Sequence, residues 1–192
     1  MSEMRRHETA PSAGRVVMWL VNPIGFVIVL LIFLFAPFVV ASTSSPDVRL
    51  KRIFDISFTG RDIVEEDAFS VGVHVLMVAL LVALVVSAGT ALIPGPQKRS
   101  FAAAVAGTVS GGLLVAAALW TSHSLDAGRN EYLSDLSSAM PPNERAKLFD
   151  QIGSEVEVGL GFWLGLTGLG VITAFNVYLI LHSRRRPAEA VR

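Results

Sequence analysis

The chain has 192 residues, 16 basic and 16 acidic side chains for a formal net charge of zero, a hydrophobic fraction of 52% with a mean hydropathy of +0.56, and no cysteine. This composition excludes a disordered chain, a basic nucleic-acid binder, a disulfide-stapled scaffold and any thiolate metal site. Four runs without one charged residue remain to be explained: Val16 to Ala41, Ser70 to Ile93, Phe101 to Thr121 and Val158 to Leu181. About 20 helical residues cross the ~30 Å hydrocarbon core of a bilayer, so each run is long enough to span it.

The expected fold class is therefore an all-α membrane protein, a bundle of four transmembrane helices with a small extracytoplasmic β-hairpin and a helical loop. In chain order, residues 1–14 form a polar tail with Pro and Gly, expected to be disordered. The first span covers 15–41 with an interfacial start at Trp19. Asn22-Pro23 reads there as an N-cap followed by proline at the first helical position, and Pro37 as a kink near the outer end. Val39-Val40-Ala41 is an acceptable signal-peptidase sequence, but the run before it exceeds the 7–15 residues of a signal h-region, so the span is expected to be retained.

Residues 42–69 form the first outside loop. Val48, Leu50, Phe54, Ile56 and Phe58 fall on one parity and Arg49, Lys51, Asp55, Ser57 and Thr59 on the other. That alternation predicts a half-buried strand, followed by a turn at Thr59-Gly60-Arg61-Asp62 and a return strand at Ile63-Val64. Its apolar side, carried by Phe54, Ile56 and Phe58, needs a cover from elsewhere in the chain or from a partner. The second span, 70–93, ends at Pro94-Gly95-Pro96. The short loop 94–100 leads into the third span, 101–121, as a tight antiparallel pair.

The second outside loop, 122–157, has helical spacing of Leu125, Tyr132, Leu133, Leu136 and Met140. After the break at Pro141-Pro142, Asn143 to Glu157 reads as an amphipathic helix with Leu148, Phe149, Ile152 and Val156 on one face. The fourth span, 158–181, precedes a basic tail, 182–192.

Charge sets the orientation. The tails with Arg15 and the 94–100 loop carry 9 basic and 3 acidic residues, whereas the other two loops carry 7 basic and 13 acidic. Lys and Arg are retained on the cytoplasmic side, so both termini are expected there; the excess of arginine over lysine, 13 to 3, hints at a GC-rich bacterial genome and so at a bacterial plasma membrane. The Arg184-Arg185-Arg186 cluster reads as a stop-transfer anchor beside lipid headgroups.

Small residues are concentrated in the third and fourth spans. Ala103, Gly107 and Gly111 repeat every four residues, and Gly161, Gly165 and Gly168 share a helical face with Ile172. Small residues let helices approach closely in lipid, where the hydrophobic effect gives no help. Such faces serve either internal packing or docking of a partner's helices. Asn176 lies near the glycine face and reads as an interhelical hydrogen-bond donor. No Asp, Glu, Lys or Arg falls within any of the four apolar runs, which argues against an ion-coupled carrier.

No phosphate loop, HExxH or GxSxG motif occurs. Asp126, Glu131 and Asp135 look like a solvated face. His74 and His123, with Asp67 or Glu157, make a metal site only on paper. Trp19, Trp120 and Trp163 read as interfacial belt residues. No enzyme activity, cofactor or metal is expected, and membrane lipids and other integral membrane subunits are the expected partners, without nucleic acid.

The plan resembles that of small tetraspan membrane proteins. It is similar to claudin-type proteins in topology only, since their Trp-and-Cys loop motif is missing. Phe58-Thr59-Gly60-Arg61-Asp62 and Val158-Gly159-Leu160-Gly161-Phe162-Trp163-Leu164 resemble stretches of four-helix proteins of actinobacterial envelopes. That resemblance implies an accessory subunit of a larger envelope machine, such as a lipid transporter of the mammalian-cell-entry type. The alternative expectation is a small independent transporter or channel for a lipid or another apolar solute. A sensor reading the outside through its acidic loops is a third, without visible output in the short tails.

Overall fold

The computed structural model describes residues 13–43, 55–65, 69–138, 141 and 154–189. Four long helices pack in a ring and carry a small antiparallel sheet at one end. Helix α1 spans Ala13–Phe35, α3 spans Val71–Ala88 and continues as a 3₁₀ turn over Gly89–Leu92, α4 spans Pro96–Ser138, and α5 spans Leu160–Glu189. A short helix, α2, covers Gly60–Glu65. Helix α1 packs against α3 and α5, and α4 closes the ring by packing against the same two.

Buried residues recur at alternating steps of three and four on every long helix. The stripe is Asn22, Phe26, Val29 and Phe33 on α1, and Val73, Met77, Leu80, Leu84 and Ser87 on α3. On α4 it is Ala103, Gly107, Ser110, Leu114, Ala117 and Thr121, and on α5 Phe162, Gly165, Leu169, Ile172 and Asn176. A 3.5-residue period keeps a seam facing its neighbour along a slightly tilted bundle.

The opposite faces are equally apolar. Val71, Val75, Val78, Val82 and Val85 form an exposed stripe along α3. A helix that is hydrophobic all round belongs in a core or in lipid. Val71–Leu92, Pro96–Gly128 and Leu160–Ser183 are each long and apolar enough to cross a membrane, and Leu20–Phe35 is a shorter apolar segment of α1.

The sheet has strand order β2-β1-β3, with β1 at Pro37–Thr43, β2 at Ile56–Thr59 and β3 at Ser154–Val158, all antiparallel. Its central strand is the direct continuation of α1. The first span read over 15–41 is thus corrected: the helix stops at Phe35 and the residues from Pro37 are strand. Pro37 lacks an N–H and clashes with a preceding helical turn, and Val39 and Val40 suit a pleated surface. At the other end, α1 begins at Ala13, so Asn22 is not its N-cap and Pro23 lies inside the helix.

A bulge between Pro37 and Val39 leaves Phe38 unpaired with β2. It therefore lets adjacent residues Phe38 and Val39 both bury completely. Phe38 meets Phe33 edge-on at 5.3 Å and Phe162 at 6.2 Å between centroids, which ties strand to bundle. Val39 pairs with Phe58 and Val158, and Ala41 with Ile56 and Val156, so these two rows share one face.

Two further expectations are corrected. Ile63-Val64 is not a return strand but lies in α2, because Thr59 and Asp62 cap a helix there. Thr59 N–H donates to Asp62 Oδ2 at 2.8 Å, and Asp62 N–H donates to Thr59 Oγ1 at 3.2 Å. This reciprocal pair is a capping box with Asp in the acidic position. The strand that pairs with β2 is instead β1, on its N-terminal side.

The helix read over Asn143–Glu157 ends in strand: Ser154–Val158 is β3. Val156 and Val158 alternate with Glu155 and Glu157, and β1 offers them a free edge. Residues 143–153 lie outside the described residues. The helical reading of the loop after Thr121 corresponds to an unbroken continuation of α4 to Ser138, about 64 Å of helix in all. Its N-terminus is Pro96, so the link from the 3₁₀ turn is only Ile93–Gly95. Gly95 has φ +90 there, a conformation that favours glycine.

Candidate functional site

The buried polar residues of the bundle, Thr121 apart, lie away from the sheet end. Asn22 and Asn176 face each other across the α1–α5 seam, 3% and 0% exposed. Asn22 Nδ2 donates to Asn176 Oδ1 at 3.0 Å, and Asn176 Nδ2 donates to Asn22 Oδ1 and to the Ile172 carbonyl, both at 2.8 Å. On the α3–α4 seam Ser87 Oγ lies 3.4 Å from Ser110 Oγ and also donates to the Ala83 carbonyl at 2.5 Å. Thr90 donates to the Ser87 carbonyl at 2.7 Å.

Below them, the buried Arg99 side chain donates to the Ile93 carbonyl from Nε at 3.2 Å and from a terminal nitrogen at 3.0 Å. It thereby closes the exposed end of the 3₁₀ turn. These are neutral amides, hydroxyls and one internally bonded guanidinium. Such a set fixes helices against one another but offers neither a proton donor poised near neutral pH nor a nucleophile with a base.

The end that carries the sheet contrasts with this. Its core is Phe33, Phe38, Met77, Leu114, Phe162 and neighbours. Thr121 is the one buried side chain there, among the described residues, whose hydroxyl has no partner. His74 Nδ1 sits 3.1 Å from the Ser70 carbonyl, one turn back on its own helix end. No group of three potential metal-ligating residues occurs among the described residues. Trp120 and Trp163 are both more than half exposed, and Trp120 lies over Gly72.

The glycines divide into two sets. A Cβ on Gly168 would lie 2.8 Å from Val29, and one on Gly161 2.8 Å from the Ala36 carbonyl oxygen, so Gly168 is a notch filled by α1 and Gly161 one filled by the junction of α1 and β1. Gly107 is filled by Thr173 of α5, and Gly165 sits in ordinary contact with Leu114 of α4. Gly25 does for α1 what Gly168 does for α5, since a Cβ there would meet Ile172 at 2.9 Å.

Gly111, Gly112 and Gly170 are different: nothing lies within 4 Å of a Cβ on any of them. The Gly107–Thr173 and Gly165–Leu114 contacts set the antiparallel register. That register places Gly111 and Gly170 within a turn of the same depth.

In the sheet, Phe58 packs edge-on against Phe69 at 5.2 Å, while Ile56 is 44% exposed. Phe54 lies outside the described residues. Asn22, missed as a site residue because Asn-Pro reads as a helix start, has one sequence signal. It falls on the same three-four stripe as Phe26, Val29 and Phe33.

The fold thus defines a helical bundle with three helices fit to span a membrane, capped by a three-stranded sheet. No family model, curated protein or solved structure matches the chain.

Proposed function

We propose that the chain is a four-span protein of the bacterial plasma membrane with both termini in the cytoplasm, α1 completing the set of spans. It acts without catalysis as an accessory or scaffolding subunit of a larger cell-envelope membrane complex. The observation that carries this reading is the pair of open notches on the outward faces of α4 and α5. Gly112 and Gly170 are exposed and unfilled while Gly107, Gly161 and Gly168 are occupied within the chain. Close approach of a partner helix in lipid needs unfilled small positions of this kind. The partners are other integral membrane subunits, and lipid transport is the process that the envelope resemblance implies.

The experiment is native purification in mild detergent through a C-terminal tag, with mass spectrometry of what co-elutes. A stoichiometric set of membrane subunits is expected. A stable, well-folded monomer that returns no stoichiometric partner overturns the reading.

A second reading, an independent carrier of a lipid or another apolar solute, is favoured by one feature. A shallow apolar depression lies on the exposed face of α1, lined by Leu20, Val21, Ile24, Gly25 and Ile28. It predicts lipid or solute movement by the purified protein in proteoliposomes, and absence of such movement removes it.

A further inference from the structure

Helices α1 and α5 are held together at three kinds of point. Toward the sheet the seam is strapped by covalent continuity and strand pairing. Helix α1 runs into β1 and β3 runs into α5, the two strands pair from Val39↔Val158 to Thr43↔Ser154, and Gly159 N–H donates to the Phe38 carbonyl at 2.8 Å. Between these ends the contacts are apolar knobs in glycine notches, Val29 on Gly168 and Ile172 on Gly25. At the far end the amide pair of Asn22 and Asn176 is the polar tie between the two helices.

The next residue, Pro23, has no N–H to donate to the Trp19 carbonyl, so α1 lacks one backbone bond beside that tie. Such a position is where helices bend. Helix α1 also packs on the 3₁₀ turn Gly89–Leu92.

We propose that the Asn22–Asn176 amide pair is a latch on the sheet-remote end of the α1–α5 seam and that Pro23 is its hinge. When the amides part, residues 13–21 swing away while the sheet keeps the other end closed. Parting uncovers the Asn176 amide, buried until then against Asn22. The latch is asymmetric. Asn176 keeps its bond to the Ile172 carbonyl when Asn22 is lost, but both bonds of the Asn22 side chain are to Asn176. Removal of Asn176 therefore leaves a bare buried amide and opens the latch further than removal of Asn22.

The absence of cysteine makes the test direct. Spin labels on the full-length protein in nanodiscs are placed at Leu20→Cys with Leu181→Cys beyond the latch, and at Leu31→Cys with Leu164→Cys on the strapped side. All four positions are exposed. In the Asn22→Leu/Asn176→Leu protein the first pair is expected to shift to longer, broader distances and the second pair to stay unchanged. Asn176→Leu alone shifts the first pair more than Asn22→Leu alone.

Adding Pro23→Ala, which restores the backbone bond, narrows the distribution again. If leucine overfills the seam, Asn22→Ala with Asn176→Ala makes the same measurement. Unchanged distances for both pairs, or equal broadening of both, overturn the latch, and failure of Pro23→Ala to narrow the distribution overturns the hinge. Co-purification of partners plays no part in the readout, so this result is independent of the accessory reading.

Discussion

Gly168 and Gly112 differ by what stands opposite a single hydrogen. At Gly168 the opposing group is Val29, and a Cβ would already sit 2.8 Å from it. Gly168→Leu must push α1 and α5 apart, an overpacking cost of typically 1–3 kcal/mol. It is expected to lower the thermal unfolding midpoint in detergent. Gly112→Leu meets open space, so its effect on folding is expected to stay within about 0.5 kcal/mol, while capture of the partner subunits falls. A loss of stability in Gly112→Leu, or no loss in Gly168→Leu, contradicts this division of the glycines. Thr121 offers the reverse case. Its buried hydroxyl is unpaired, and an unpaired buried hydroxyl costs about 1–3 kcal/mol relative to an apolar group of the same shape. Thr121→Val is expected to leave stability unchanged or raise it, read as an unfolding midpoint no lower than that of the parent.

Among the elements, α2 depends most on one side chain. It has six residues, too few to persist without its cap. The Asp62 carboxylate accepts from the Thr59 N–H and hydroxyl, both at 2.8 Å, and these bonds, the backbone one first, hold its pKa below the ordinary carboxylate value. Because the folded-state pKa is depressed, the contribution is present above the unfolded value of about 3.9 and is lost as pH falls through the folded one. Protection of the α2 amides in hydrogen exchange is expected to fall only below about pH 4. Asp62→Ala is expected to remove it at neutral pH, at a cost of about 0.5–2 kcal/mol. Equal protection in that variant contradicts the capping role. The Arg61–Glu65 bridge at 2.8 Å does not compensate. Both side chains are more than half exposed, and surface pairs contribute little.

For the molecule as a whole, the proposed orientation has a direct check. Single cysteines at Lys98 and at Ser57 lie on exposed positions at opposite ends of the bundle. An impermeant thiol reagent added to intact spheroplasts is expected to label Ser57→Cys and to reach Lys98→Cys only after permeabilisation. Labelling of both from outside contradicts an even number of spans with cytoplasmic tails. The sheet also gives the bundle a rigid end. Strands Pro37–Thr43 and Ser154–Val158 join α1 and α5 there, whereas at the opposite end these two helices meet through side chains. Motion of the helices is therefore expected to be concentrated away from the sheet.

Apolar runs and the bias of Lys and Arg were legible without coordinates, because transfer into lipid depends on local composition and needs no partner. The value of Asn176 as an interhelical group was legible for the same reason: an amide in an apolar helix has to find a bond. What depends on partners was not. Ala103, Gly107 and Gly111 read as one face, but a repeat of four drifts by about 40° per step, and the bundle's period of 3.5 puts Ser110 at the seam instead of Gly111. Asn22 read as a cap until Asn176 was placed opposite it. Pro37 to Ala41 and Ser154 to Val158 became strands because each completes the hydrogen bonding of the other. Pairing across more than 110 residues is a property of the folded chain and not of either segment.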